Sequence, residues 1–102
     1  MITIVIKKNN SGFLVEGHAN YAENGADIVC ASVSAITQTA LSGIIDYTQP
    51  SFAMKDGYLE VDLHETSIET TAILKAMEKG LREIRSLYSD YIQFKEEGYD
   101  EE

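Results

Sequence analysis

Residues 27–50, DIVCASVSAITQTALSGIIDYTQP, decide the fold that the sequence predicts, because they contain its clearest helical pattern. Apolar residues recur there at spacings of three and four, which places them on one face of a helix. Asp27 is a suitable N-cap, and the helix must end before Pro50, since the residue preceding a proline is disfavoured in the α region. The predicted core stripe is Val29, Val33, Ile36, Ala40, Ile44 and Tyr47, widened by Leu41 and Ile45. The outer face carries serine and threonine instead of charge, which is compatible with partial cover by a partner subunit or by the rest of the fold.

A predicted β-hairpin lies on each side of this helix. In residues 1–17, alternating isoleucines are followed by the turn residues NNSG at 9–12 and by a second apolar run, which is typical of two paired strands. In residues 51–65, the Asp-Gly pair within KDG at 55–57 favours a tight hairpin turn. The residues of the second hairpin that alternate with polar neighbours, and should therefore face one way, are Leu59, Val61 and Leu63.

A second helix and a last strand complete the pattern. Thr66 and Glu69 fit a capping box at the helix start, and residues 91–94 predict a short strand. The core stripe of this helix is Ile73, Met77, Leu81, Ile84 and Tyr88. The element order is β-β-α-β-β-α-β in a single domain, residues 1–95, followed by an acidic tail, 96–102. We therefore expect an α+β fold in which two helices pack on a mixed or mostly antiparallel sheet.

Composition restricts the classes of function. The chain has 102 residues, 17 of them acidic and 8 basic, and a formal net charge of −9, so direct binding to nucleic-acid phosphates is not expected. The acidic tail is expected to be frayed and solvated; the alternative is that it attracts a basic partner. A lone cysteine indicates a reducing compartment, and no stretch approaches the roughly 20 apolar residues of a membrane span. We therefore expect a cytoplasmic protein that does not bind a membrane.

The lone cysteine, Cys30, falls about three residues into the predicted helix, and His18 lies just after the second strand. The first turn of a helix favours a thiolate through its outward amides and the helix dipole. A nearby imidazole could exchange the proton, and the amides of Cys30 and Ala31 could donate to an oxyanion. The competing interpretation is an inert core cysteine with an incidental turn histidine. A structural zinc site would need four ligands, which the chain does not supply, and we interpret His64 as structural or exposed.

The segments GHA at 17–19 and GADIVCASVSA at 25–35 resemble the signature of the ribosomal-processing cysteine protease family Prp, the YsxB-like proteins. Length and element order also match, so the resemblance covers nearly the whole chain. It implies a small bacterial, cytoplasmic homodimer. It further implies a cysteine endopeptidase that removes a short N-terminal extension from a large-subunit ribosomal protein, and we predict neither a cofactor nor a metal ion. By the resemblance, Cys30 is the nucleophile and His18 is the general base and acid.

Further residues of the signature have two alternative roles each. Asp27 either caps the helix or orients His18. Ser34 lies one turn along the helix from Cys30 and either hydrogen-bonds within the site or packs as a small residue. Gly17 and Gly25 would serve as hinges or allow close approach of substrate backbone.

The family also implies that the loop 19–26 is mobile and becomes ordered over a bound substrate. The alternative function is a non-catalytic ribosome-assembly or ribosome-associated factor. Such a factor would bind through a sheet edge and its acidic surface, and it would not need a reactive thiol beside a histidine.

Overall fold

The computed structural model describes residues 1–22 and 27–96. In chain order the elements are β1 (Ile2–Ile6), a 3-10 turn (Lys8–Asn10), β2 (Gly12–Gly17), α1 (Ile28–Ile45), β3 (Ser51–Lys55), β4 (Tyr58–Asp62), α2 (Ile68–Leu87) and β5 (Ile92–Glu96). The five strands form one sheet in the order β3-β4-β2-β1-β5. Neighbouring strands are antiparallel except for β1 and β5, which are parallel. The predicted element order and the mixed α+β sheet are confirmed.

Both predicted hairpins form, and their turns use the residues that the sequence offers. Asn9 and Asn10 adopt φ values of 59° and 56° between β1 and β2, a conformation that asparagine tolerates better than most residues. In the β3–β4 turn, Gly57 has a φ of 71°. Of the Asp-Gly pair, only the glycine has a positive φ. The turn therefore requires left-handed backbone at one position, which glycine occupies, and not at both.

The two helices pack against each other and cover the same face of the sheet. Small residues allow the close approach: a Cβ added to Gly43 would lie 3.3 Å from Cδ1 of Ile73, and one added to Gly80 would lie 3.3 Å from Cδ1 of Ile36. The largest fully buried side chains between the layers are Phe13, Ile4, Ile44, Leu81, Ile92, Val29, Val33 and Val61. These apolar side chains remove the largest share of surface from water and fix the orientation of α1 on the sheet.

Several sequence expectations about the helices need correction. Ser67 and not Thr66 is the N-cap of α2; its hydroxyl accepts from the amide of Thr70 at 3.1 Å, and the Thr70 hydroxyl accepts from the amide of Ser67 at 2.9 Å. Thr70 is thus the residue whose side chain completes the capping box, the role that the sequence assigned to Glu69. In α1, Tyr47 follows the end of the helix and is 59% exposed, and Ile45 is 45% exposed.

Two further expectations concern the chain end and membranes. The strand β5 includes Glu96, so the first residue of the predicted tail belongs to the sheet, while residues 97–102 lie outside the described residues.

Helix α1 has a mean hydropathy of 1.7 over 18 residues and is long and apolar enough, by length and composition only, to cross a membrane. The core helix of a globular protein passes the same test, and the buried residues of α1 belong to the hydrophobic core. The expectation that no stretch approaches a membrane span therefore needs correction, because α1 meets the length and hydropathy criteria for one.

Candidate active site

A cleft of about 570 Å³ lies between the start of α1, the end of β2 and the β3–β4 turn. It brings together every predicted site residue of the described part of the chain, namely Gly17, His18, Asp27, Cys30, Ala31 and Ser34. Gly25 lies outside the described residues. The hairpin β3–β4 contributes residues 54–59 to the opposite wall, a part of the site that the sequence did not indicate.

Cys30 lies in the first turn of α1 and is partly buried with a free thiol. Its Sγ accepts a hydrogen bond from the backbone amide of Ala19 at 3.3 Å. The sulfur therefore faces the segment that carries His18 and does not pack entirely in the core. The sulfur thus lies beside a backbone donor at the start of a helix and borders the cleft.

Asp27 is the N-cap of α1, as predicted. Its Oδ1 accepts from the amides of Val29 and Cys30, and its Oδ2 accepts from the amide of Tyr21, each at 3.0 Å. The amide of Cys30, followed by the amide of Tyr21, the side chain of Cys30 and the amide of Val29, holds the pKa of the Asp27 carboxyl below its usual range, despite partial desolvation. Because the hydrogen bonds of this carboxylate among the described residues go to the start of α1 and to Tyr21, and none goes to His18, the structure favours the capping role of Asp27 over the orientation of His18.

The same cap corrects the prediction for the oxyanion donors. The amide of Cys30 donates to the Asp27 carboxylate at 3.0 Å, and the amide of Ala31 donates to the Asp27 carbonyl at 3.1 Å. Both amides that the sequence offered to an oxyanion therefore have acceptors within the helix start. The amide of Ala19, which the sequence reasoning missed, is instead the one directed at the sulfur.

His18 follows β2 directly, and its side chain is 53% exposed. Its Nε2 lies 3.8 Å from Oδ2 of Asp56 in the β3–β4 turn, and its carbonyl accepts from the backbone nitrogen of Met1 at 2.6 Å. The preceding residue, Gly17, has a φ of 102°, and a Cβ there would lie 2.3 Å from the carbonyl oxygen of Met1. The close approach that requires this glycine is therefore to the chain's own backbone at the start of β1.

The remaining helix residue of the signature, Ser34, is exposed on the cleft wall. Its side chain is thus placed to meet a bound molecule and does not fill the core. Its carbonyl accepts from the buried hydroxyl of Thr37 at 3.3 Å. His64, as expected, lies outside this cleft; it is exposed, and its Nε2 is 2.7 Å from Oγ of Ser51.

The described part of the loop 19–26 is anchored to the rest of the fold. Ala19 is buried, and the Tyr21 ring packs edge-to-face against Tyr88 and Tyr91, with centroids 5.5 and 5.1 Å apart. The expected mobility of the loop 19–26 stays a prediction, and residues 23–26 lie outside the described residues. Within residues 1–22 and 27–96, no group of three His, Cys, Asp or Glu side chains could hold a metal ion.

A partly buried thiol at a helix start lines the same cleft as His18, an arrangement that a thiol nucleophile and its base can use. The sequence profile of the family described as "Cysteine protease Prp" matches residues 1–93. The chain belongs to this family. It is therefore a cysteine protease, the resemblance noted in the sequence is confirmed, and the alternative of a non-catalytic factor is not supported.

Individual relatives agree with this membership. The chain is 32% identical to the ribosomal processing cysteine protease Prp of Staphylococcus aureus over 102 residues, which cover 91% of this chain and 96% of the relative. The crystal structure of the essential ribosomal processing protease Prp from S. aureus with a covalently linked product peptide matches with a TM-score of 0.86 at 29% identity, covering 95% of this chain and 100% of that one. The same protease in complex with a substrate peptide matches with a TM-score of 0.83 at 28% identity, with the same coverage.

Proposed function

We propose that the chain removes a short N-terminal extension from a large-subunit ribosomal protein, with Cys30 as the nucleophile and His18 as the general base and acid. The observation that carries the proposal is the position of the Cys30 sulfur. It lies at the start of α1, accepts from the amide of Ala19, and lines the same cleft as His18. The S. aureus relative, named a ribosomal processing protease and crystallised with a substrate peptide, supports the choice of substrate.

The proposed reaction has two stages. The Cys30 thiolate attacks the scissile carbonyl carbon, and the resulting tetrahedral intermediate collapses to a thioester as His18 protonates the leaving amine. His18, now neutral, takes a proton from water, which attacks the thioester and releases the acid product and the thiol. No step requires a metal ion or a cofactor.

The amide of Ala19 is the best-placed donor for the oxyanion of the intermediate. It already lies 3.3 Å from Sγ of Cys30, and the attacked carbon bonds to that sulfur. The amides of Cys30 and Ala31 are engaged by Asp27. Removing one such donor from comparable enzymes lowers kcat by a factor of about 100 to 1,000. Because a backbone amide survives side-chain substitution, its contribution is tested by replacing residue 19 with an α-hydroxy acid, which has an ester oxygen there.

The net charge of −9 favours a basic substrate such as a ribosomal protein, because complementary charge accelerates encounter at low salt.

We also propose that the chain forms a homodimer in the cytoplasm. All five residues of the edge strand β3 are exposed, Phe52 and Met54 are 50% and 53% exposed, and the outer face of α1 lacks charge. An exposed edge strand of this kind is a suitable surface for pairing with a second copy of the chain.

The test is cleavage of the extended ribosomal protein, followed by mass spectrometry. Cys30→Ala should abolish cleavage, and His18→Ala should lower its rate at least 100-fold. The matched controls are Ser32→Ala, in the same turn of α1 with its hydroxyl on the Ile28 carbonyl, and His64→Ala, which lies outside the cleft. Normal cleavage by Cys30→Ala would show that another group is the nucleophile, and equal loss in the controls would show that the variants act through stability.

A further inference from the structure

The turn between β3 and β4 lies against the imidazole of His18. A Cβ added to Gly57 would be 2.6 Å from Nε2 and 3.0 Å from Cε1 of that ring. Real Cβ atoms essentially never come closer than 3.0 Å to such a neighbour. The ring can therefore occupy its present position only because residue 57 has no side chain.

The strand that carries His18 also holds the turn in place. The amide of Gly17 donates to the carbonyl of Gly57 at 2.9 Å, which extends the β2–β4 pairing beyond its last pair, Glu16 and Tyr58. Gly17 directly precedes His18, so this bond fixes the backbone of the histidine relative to the turn. Because the His18 side chain is 53% exposed, burial alone does not fix the orientation of its ring.

Asp56 adds a negative charge at the same place. Its Oδ2 lies 3.8 Å from Nε2 of His18, and its side chain is 99% exposed. This separation is longer than a hydrogen bond, but a small rotation of either exposed side chain would let Nε2–H donate to the carboxylate. Such a bond would favour the tautomer that carries its proton on Nε2 and leave Nδ1 to act as the base. The carboxylate of Asp27 is directed elsewhere, since its hydrogen bonds go to the amides of Tyr21, Val29 and Cys30.

We propose that the Asp56-Gly57 turn positions His18: Gly57 determines where the ring lies, and Asp56 favours the tautomer with its proton on Nε2. Both are positioning residues, since they act through the imidazole and not on the substrate. The kinetic consequence of this proposal rests on the proposed function, whereas the state of the ring does not.

Two substitutions test the proposal, with one control. Asp56→Asn removes the charge, and Gly57→Asn adds a Cβ while asparagine tolerates the positive φ of 71°. Asp46→Asn makes the same charge change at the opposite end of α1, where Asp46 is the C-cap. In peptide cleavage, Asp56→Asn should lower kcat about threefold and Gly57→Asn about 100-fold, with KM within twofold. The control should keep both constants.

A second readout follows the ring itself. Long-range ¹H–¹⁵N correlation of the histidine side chains reports the tautomer of His18, with His64 as the internal reference. The His18 signals should change in both cleft variants and stay unchanged in Asp46→Asn. Circular dichroism checks that each variant folds. If Gly57→Asn does not fold, Asp56→Asn alone tests the proposal, because the Asp56 side chain is almost fully exposed and its replacement should not affect folding.

The outcomes that overturn the proposal are distinct from those that overturn the proposed function. Unchanged kcat in both cleft variants overturns it, as does a loss of kcat without any change in the His18 signals, which would mark an effect that bypasses the ring. If the wild-type chain does not cleave the peptide at all, the proposed function fails, and the His18 signals alone then decide whether the turn positions the ring.

Discussion

Replacing Asp27 with alanine should destabilise the start of α1 and displace Cys30 with it. Three backbone amides, those of Val29, Cys30 and Tyr21, donate to its carboxylate at 3.0 Å. Loss of an N-cap costs about 1 kcal/mol, and loss of the loop hydrogen bond adds about 1 kcal/mol. We therefore expect the free energy of unfolding to fall by about 2 kcal/mol, which lowers Tm by about 10 °C in a domain of this size.

The effect should depend on pH in a defined direction. Amide donors, that of Cys30 first, hold the pKa of Asp27 below its usual range. A carboxylate with a depressed folded-state pKa contributes stability that is present above its unfolded pKa and is lost as pH falls through the folded value. The stability difference between the wild type and Asp27→Ala should therefore be constant above about pH 5 and shrink as the solution becomes more acidic.

Thermal and urea unfolding, followed by circular dichroism at neutral and acidic pH, measure both effects. Asp27→Asn is the first control, since asparagine caps a helix about as well as aspartate but does not titrate; its NH2 group cannot accept from the amide of Tyr21, so it should lose only the loop hydrogen bond. Ser67→Ala is the second, because it removes the cap of α2 and should cost similar stability with little loss of peptide cleavage. A Tm of Asp27→Ala within about 2 °C of the wild type, or cleavage no worse than that of Ser67→Ala, would refute the reasoning.

Three further substitutions test the framework of the site. Gly17→Ala should lower the free energy of unfolding by about 2 kcal/mol, because its Cβ would lie 2.3 Å from the Met1 carbonyl oxygen at a φ of 102°. Gly43→Ala is the control, since its Cβ would contact only a flexible side chain. It should change the free energy of unfolding in urea by less than about 1 kcal/mol. Lys7→Ala should cost about 2 kcal/mol in urea unfolding, because Lys7 is 11% exposed and bridges two carboxylates of β4 at 2.7 and 2.6 Å; a loss under about 0.5 kcal/mol would show that the network is solvated. Phe52→Asp should shift the sedimentation coefficient from dimer to monomer if β3 is the dimer edge, and an unchanged dimer would place the interface elsewhere.

The elements of the fold were predictable because each is marked by a local pattern. The helical spacing after Asp27 and the Asp-Gly pair before β4 act over a few residues, and the structure contains both elements where these patterns lie. The start of α2 shows the limit of such patterns. Thr66 and Ser67 are both good N-caps, so the sequence does not determine which residue begins the helix. Buried Thr70, which completes the box with Ser67, settles it through packing that the local sequence does not contain.

The partners of His18 were not predictable, because they depend on the order of strands in the sheet. Strand β2 pairs with β4, which is distant in sequence, and the register Glu16–Tyr58 places the β3–β4 turn beside residues 17 and 18. Element order alone is compatible with other neighbours for β2, so neither Asp56 nor Gly57 could be assigned to the site from the sequence.

The amides that the sequence offered to an oxyanion already have acceptors in the structure, and the cause is a general one. Asp27 made the helix start recognisable because aspartate satisfies the first-turn amides. Satisfying them removes those amides from the set of donors that the helix start offers to a ligand. A strong side-chain cap next to a nucleophile is thus evidence against the nearest helix amides as an oxyanion hole. It directs attention to donors from another segment, here the amide of Ala19, which lies 3.3 Å from the Cys30 sulfur.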